Sequence, residues 1–242
     1  MNIIPPVMTL LLLGHILGDF YFQSNKMAEN KNEGIRWLFA HGIVYTLCMA
    51  VVLFAGIVRS DNLLLILVLT SLMHFIIDYF KRFLDFKRIF SIDQLAHILS
   101  LIVIWNIWGD GLILKDWTFF QISYLQNTVL LIILGILIIL KPIGILVAQG
   151  DIWDFTQNKT PPNDAQQNAG RMIGYLERII IFFLILNGEY SAIAFVMAAK
   201  TVARFPEIKE GSEGRSQAEY YLIGTLISIT SVFVVTVLLG LV

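Results

Sequence analysis

The residues with chemistry to offer are four histidines and the aspartates beside them. They stand in the segments Gly14-His15-Ile16-Leu17-Gly18-Asp19, Ala40-His41-Gly42, His74-Phe75-Ile76-Ile77-Asp78 and Asp93-Gln94-Leu95-Ala96-His97. Three of the four segments pair His with Asp at i, i+4, which in an α-helix puts both side chains on one face, one turn apart. Two such groups can bind the same cation, or the carboxylate can hold a ligating imidazole from outside. Imidazole and carboxylate donors suit zinc, manganese, iron or nickel, and the single cysteine, Cys48, excludes both a thiolate-rich site and an internal disulfide. The expected ligands are His15, Asp19, His41, His74, Asp78, Asp93 and His97, for one or two divalent transition-metal ions, with zinc the default. A carboxylate left off the metal would act as general base, the catalytic candidates being Asp19 and Asp93. The competing reading makes these pairs polar contacts between helices, worth about 1 kcal/mol each, or a proton relay.

The elements that must position these groups are apolar helices. The chain has 242 residues, 57 % hydrophobic and 14 % charged, with a mean hydropathy of +0.75. Typical soluble domains are about 45–50 % apolar and about 25 % charged, so this composition points to a multispanning membrane protein. A net charge of -1 leaves no basic surface for nucleic acid. A transmembrane helix needs roughly 20 apolar residues. The runs 3–22, 37–56, 62–77, 94–109, 117–140 and 220–242 read as spans 1 to 5 and 8. The runs 172–188 and 190–205 carry Glu177, Arg178, Lys200 and Arg204 and read as spans 6 and 7, either crossing or forming a re-entrant hairpin.

Lys and Arg accumulate in cytoplasmic loops. Lys26, Lys31 and Arg36, then Lys81, Arg82, Lys87 and Arg88, then Lys159 and Arg171, then Lys209 and Arg215 fall on one side, against Arg59 and Lys115 on the other. Both termini are therefore expected to face outward. The expected fold is all-α, a polytopic bundle of about eight spans, divided into a His/Asp-rich half over residues 1–126 and a second half over 127–242. The polar stretch 150–170 reads as a cytoplasmic loop, and 112–125, with its aromatic residues, as a segment lying partly in the outer interface.

This topology gathers residues that are distant in sequence. All four histidines fall within about 5–15 Å of the cytoplasmic boundary. The arrangement also repeats: His15 and Asp19 are followed by His41, 26 residues after His15, and His74 and Asp78 by His97, 23 residues after His74. Each unit is an outward-to-inward helix, a charged loop and a returning helix, a pattern of two hairpins related by an axis along the membrane normal.

Residues 15–23 (HILGDFYFQ), His41, residues 74–81 (HFIIDYFK) and residues 93–97 (DQLAH) resemble the uncharacterised bacterial membrane family DUF3307. The later segments 174–178 (GYLER), 198–204 (AAKTVAR) and 219–226 (EYYLIGTL) resemble its longer members. The resemblance implies a bacterial plasma (inner) membrane and brings no activity with it. The histidine pattern is loosely similar to inner-membrane metal-dependent hydrolases, an analogy of arrangement.

In the second half Arg178, Lys200 and Arg204 fall near the expected cytoplasmic ends of spans 6 and 7. They read either as snorkelling cations in internal ion pairs such as Glu219 with Arg204, or as a site for a substrate headgroup, Arg offering bidentate contacts to phosphate. The function expected is an intramembrane metal-dependent hydrolase of an ester or phosphoester in a lipid or amphiphile at the cytoplasmic face, with membrane lipids as partners. The alternatives are a metal-ion or proton-coupled transporter and a non-enzymatic metal-stabilised scaffold or regulator. Transport needs a polar route through the outer half of the membrane. In the first four spans that half is mostly Leu, Ile and Val, with Thr46, Thr70 and Asn106 as exceptions.

Overall fold

The computed structural model describes residues 4–30, 34–59, 62–83, 89–109, 113–114, 123–148, 164–204 and 212–242. The chain divides into two compact units, Asn2–Leu134 and Gly135–Val242.

The first unit is a ring of four helices. Helix α1 (Pro6–Ile16) starts on a proline, whose fixed φ and missing N–H suit the first helical position. It runs directly into a π turn, Leu17–Tyr21, closed by the Phe22 N–H donating to the Leu17 carbonyl at 2.9 Å. A short helix, α2 (Asn25–Asn30), leads to α3 (Ile35–Gly56), followed by α4 (Leu63–Lys81) and α5 (Ile89–Trp108). Helix α1 packs on α3, α3 on α4, α4 on α5, and α5 returns to α1.

The close approach of α1 and α3 depends on two glycines. A Cβ on Gly14 would meet Met49 Sδ at 2.7 Å, and one on Gly18 would lie 2.9 Å from Tyr45 Cδ2 and 3.1 Å from Tyr45 Cα. Small residues one turn apart are the usual means of bringing two apolar helices together in a membrane.

The burial pattern of α3 is inverted relative to a soluble helix. Leu38, His41, Tyr45, Met49 and Leu53 form its buried stripe, while Phe39, Ile43, Leu47, Val51 and Phe54 lie exposed on the far side. Helix α4 does the same, burying His74 and Asp78 and exposing Leu64, Val68 and Leu72. A helix that is apolar outside and carries its ionisable groups inside suits hydrocarbon as its solvent.

The second unit takes its first residues from α6 (Ser123–Leu140), the helix in which the division falls. The expected boundary at 126/127 lies eight residues earlier. The N-terminal half of α6 belongs to the first unit, where Asn127 donates to the Ile4 carbonyl at 3.2 Å and Thr9 donates to Asn127 at 3.3 Å. From Gly135 onward α6 packs against Phe182 and Leu239. Pro142 then starts α7 (Pro142–Ala148), followed by α8 (Asp164–Leu186), α9 (Tyr190–Arg204) and α10 (Ser212–Leu238). Gly188, at φ 72°, ends α8 with the Glu189 N–H returned to the Leu184 carbonyl at 2.9 Å. That left-handed cap is the reason α8 and α9 separate where the sequence places the break between spans 6 and 7.

Among the described residues, four stretches are long and apolar enough to cross a membrane: α3, α4, Phe90–Trp108 in α5, and Asn127–Val147 through α6 into α7. The helices expected as spans 1, 7 and 8 have shorter apolar stretches, Pro6–Tyr21, Tyr190–Val202 and Leu222–Leu238. Helix α8 opens with the sequence DAQQNA over 164–169, four of its six residues polar. The all-helical expectation needs one addition. Two short strands, β1 (Ile57–Arg59) and β2 (Ile113–Leu114), pair antiparallel and tie the end of α3 to the chain beyond α5. Most of the expected loop at 150–170 and of the expected interfacial segment at 112–125 lies outside the described residues.

Candidate metal centre

All seven residues expected as ligands lie in the first unit and are buried, His15 and His41 completely, Asp19 most exposed at 7 %. His15 comes from α1, Asp19 from the π turn, His41 from α3, His74 and Asp78 from α4, and Asp93 and His97 from α5. Each of the four packed helices therefore contributes.

His41 Nε2 is the centre of the tightest group. It lies 3.0 Å from His74 Nε2, 3.1 Å from Asp19 Oδ1 and 3.2 Å from Asp78 Oδ2. His74 Nε2 is in turn 3.7 Å from Asp19 Oδ1 and 3.5 Å from Asp78 Oδ2. One Nε2–H can serve one of these neighbours well, whereas a cation among them serves all four. The five distances are edges of a ligand tetrahedron, and a tetrahedral ion with bonds of about 2.0–2.1 Å needs edges of about 3.3–3.4 Å. Asp19, His41, His74 and Asp78 can thus hold a metal ion, each offering one ligand atom within 4.8 Å of the others.

Two further sets adjoin this tetrad, His15 with His74 and His97, and Asp78 with Asp93 and His97. His97 Nε2 is 3.8 Å from Asp78 Oδ1 and 3.6 Å from Asp93 Oδ1. Asp78 therefore turns one oxygen to the tetrad and the other to His97.

Residues 7–125 match the family model described as protein of unknown function, DUF3307. The DUF3307 match spans every residue of the centre. No curated protein and no solved structure matches the chain.

Within the DUF3307 segment three more side chains shape the centre. Gln94 Nε2 donates to Asp19 Oδ2 at 3.0 Å, and Gln94 Oε1 faces His15 Nε2 at 3.2 Å. An ionised carboxylate only accepts, so the amide must present its nitrogen to Asp19 and its oxygen to His15. His15 then carries its proton on Nε2 and a lone pair on Nδ1. Lys81 Nζ holds Asp93 Oδ2 at 2.6 Å. Tyr45, fully buried, stacks on the His74 ring at 3.6 Å with 9° between the planes. None of the three belongs to the expected site. In the sequence Gln94 reads only as the first residue of the run 94–109, and Lys81 only as a loop cation.

The expected i, i+4 pairing is met differently in the three segments. His74 and Asp78 approach to 3.5 Å and Asp93 and His97 to 3.6 Å. Between His15 and Asp19 the π turn intervenes, and Gln94 bridges the two residues. The wider i→i+5 turn re-aims Asp19 toward His41.

Two of the three basic residues expected at a headgroup site, Arg178 and Lys200, have partners inside the second unit. Arg178 is 4 % exposed, donating from Nε to the Ile139 carbonyl at 2.6 Å and from Nη2 to the Leu140 carbonyl at 3.4 Å. Those carbonyls end α6, where Pro142 supplies no N–H. Lys200 pairs with Glu177. Glu219 is exposed, and the side chain of Arg204, its expected partner, lies outside the described residues.

Proposed function

We propose that this protein is a metal-dependent hydrolase working within the bacterial plasma membrane, on an ester or phosphoester of a lipid or amphiphile at the cytoplasmic face. The bundle is read as about eight spans with both termini outward, which sets the His/Asp layer at headgroup depth. The observation that carries the reading is an excess of ligands. The tetrad of Asp19, His41, His74 and Asp78 suffices for one ion, yet His15, Asp93 and His97 are also buried in the layer. His15 Nδ1, Asp93 Oδ1 and His97 Nε2 have no hydrogen-bond partner. His97 Nε2 and Asp93 Oδ1 stand 3.6 Å apart as a loose ion pair. Leaving a buried polar atom such as His15 Nδ1 unsatisfied costs about 1–3 kcal/mol, a cost that an ion needed only to fix the helices gives no reason to bear.

A metal ion here would bind water and lower its pKa toward neutrality. The chain's own contribution is to exclude bulk water, hold the ligands on four helices and place a carboxylate beside the ion. Of the two candidates for general base, Asp19 falls inside the tetrad. Asp93 lies outside it, one oxygen held by Lys81 and the other 3.6 Å from His97 Nε2.

The scaffold reading has its own support, since four protein ligands are the pattern of a closed structural ion. The test is turnover. Purified full-length protein in nanodiscs of total inner-membrane lipid, loaded with zinc or manganese, is expected to release a water-soluble headgroup, phosphate or free fatty acid. A chelator and His41→Ala should each abolish release. Metal-loaded protein that releases nothing supports the scaffold, and metal flux in proteoliposomes supports a transporter.

A further inference from the structure

We propose that the layer binds a second divalent cation at Asp78, Asp93 and His97, bridged to the first through the two oxygens of Asp78 and left with an open coordination position. This deepens the hydrolase reading and rests on it for the reaction, although binding can be measured without turnover.

Three observations converge. First, Asp78 divides its carboxylate, with Oδ2 3.2 Å from His41 Nε2 in the tetrad and Oδ1 3.8 Å from His97 Nε2 outside it. A carboxylate split in this way is the bridging ligand of two-ion sites, whose metals lie about 3.5–4 Å apart. Second, His97 Nε2 and Asp93 Oδ1 face each other at 3.6 Å on side chains 1 % and 3 % exposed, and neither makes a hydrogen bond. Two desolvated ligating atoms, at ion-pair distance and outside hydrogen-bond reach, point at the same place. Third, the other oxygen of Asp93 is fixed by Lys81 at 2.6 Å. Such an outer contact orients a ligating carboxylate and leaves its second oxygen for the ion.

The two sites differ in what they leave free. The tetrad supplies four protein ligands and is closed. The second set supplies three, so its ion would keep a place for water, the arrangement that separates catalytic from structural sites. His15 Nδ1, buried and unpartnered, lies in a set that also includes His97. Two ions flanking one water suit phosphoryl esters best, because both attacking and leaving oxygens can be stabilised. In this arrangement Asp93 would be a ligand rather than the general base.

The experiment is metal stoichiometry on the full chain in detergent. Protein stripped with chelator is titrated with manganese(II), its content measured by elemental analysis and its spectrum by electron paramagnetic resonance. Two ions per chain with a magnetically coupled spectrum are expected, since a shared carboxylate couples the pair. Asp93→Asn and, as a second variant against misfolding, His97→Gln should each hold one ion with an uncoupled spectrum. One ion at saturation in the unaltered protein, two uncoupled ions, or two ions retained in both variants would overturn the proposal. Two coupled ions without hydrolysis would leave it standing and remove the hydrolase reading, while protein that binds no metal defeats both.

Discussion

Gln94→Leu should weaken metal binding without touching a ligand. The side chains are close in volume, so the change removes an amide and leaves the packing of α5 in place. It deletes the 3.0 Å bond to Asp19 Oδ2 and the 3.2 Å contact with His15 Nε2. The first is a bond to an ionised group, worth about 1.5–3 kcal/mol, and losing its donor frees Asp19 to rotate its Oδ1 away from His41. Outer contacts of this kind are worth about 10–100-fold in metal affinity, which corresponds to about 1.4–2.7 kcal/mol. The two estimates agree, so the dissociation constant should rise by one to two orders of magnitude. Competition against a chromophoric chelator in detergent reads this directly. A purely structural glutamine would lower the melting temperature and leave metal affinity alone. A dissociation constant within threefold of the parent, alongside a lowered melting temperature, would refute the argument that Gln94 aims Asp19.

Four other outcomes are expected. Asp78→Asn, which alters the carboxylate shared by both ligand sets, should cost more affinity than Gln94→Leu, and elemental analysis should find the purified variant close to metal-free. Adding zinc at 100 times its dissociation constant should stabilise the stripped protein by about 2.7 kcal/mol, seen as a rise in melting temperature that the His41→Ala and His74→Ala double variant lacks. Gly18→Ala should destabilise by about 1–3 kcal/mol, the usual cost of overpacking, because its Cβ meets Tyr45 Cδ2 at 2.9 Å; thermal unfolding in detergent measures it, and an unchanged midpoint would argue against the close α1–α3 packing. Arg178→Leu should make the junction of α6 and α7 more susceptible to hydrogen exchange, since the Ile139 and Leu140 carbonyls lose their charged donor.

Much of the first unit follows from pattern. The apolar runs locate α3, α4 and α5 because a helix buried in hydrocarbon must satisfy its own backbone and shed its charges. The histidines could be placed in one layer because depth along a helix is a simple count of about 1.5 Å per residue. Rotation about the helix axis has no such count. Nothing in HILGDF announces that Leu17–Tyr21 winds as a π turn, because its i→i+5 bond depends on how α1 fits against α3 at Gly14 and Gly18. Gln94 lies next to Asp93 in sequence, yet its firm contacts are with Asp19 and His15 on another helix. By its position Lys81 reads as one more loop cation, while in the fold it grips Asp93. In the second unit, Arg178 and Lys200 were legible as misplaced charges, but their partners, the end of α6 and Glu177, could not be chosen from spacing alone.

The sequence by itself determined composition, the apolar character of the helices, the position of each ionisable group along its helix and the identity of the donors. These are local properties, set by residue type and by the fixed rise of a helix. Only the tertiary structure decided which donors face one another. It put His41 at the centre of Asp19, His74 and Asp78, split the carboxylate of Asp78 between two neighbours, and set His97 3.6 Å from Asp93 and 3.8 Å from Asp78. Those relations depend on the azimuth of four helices packed in a ring, and azimuth is set by side chains meeting across interfaces, at sequence separations that no single segment encodes.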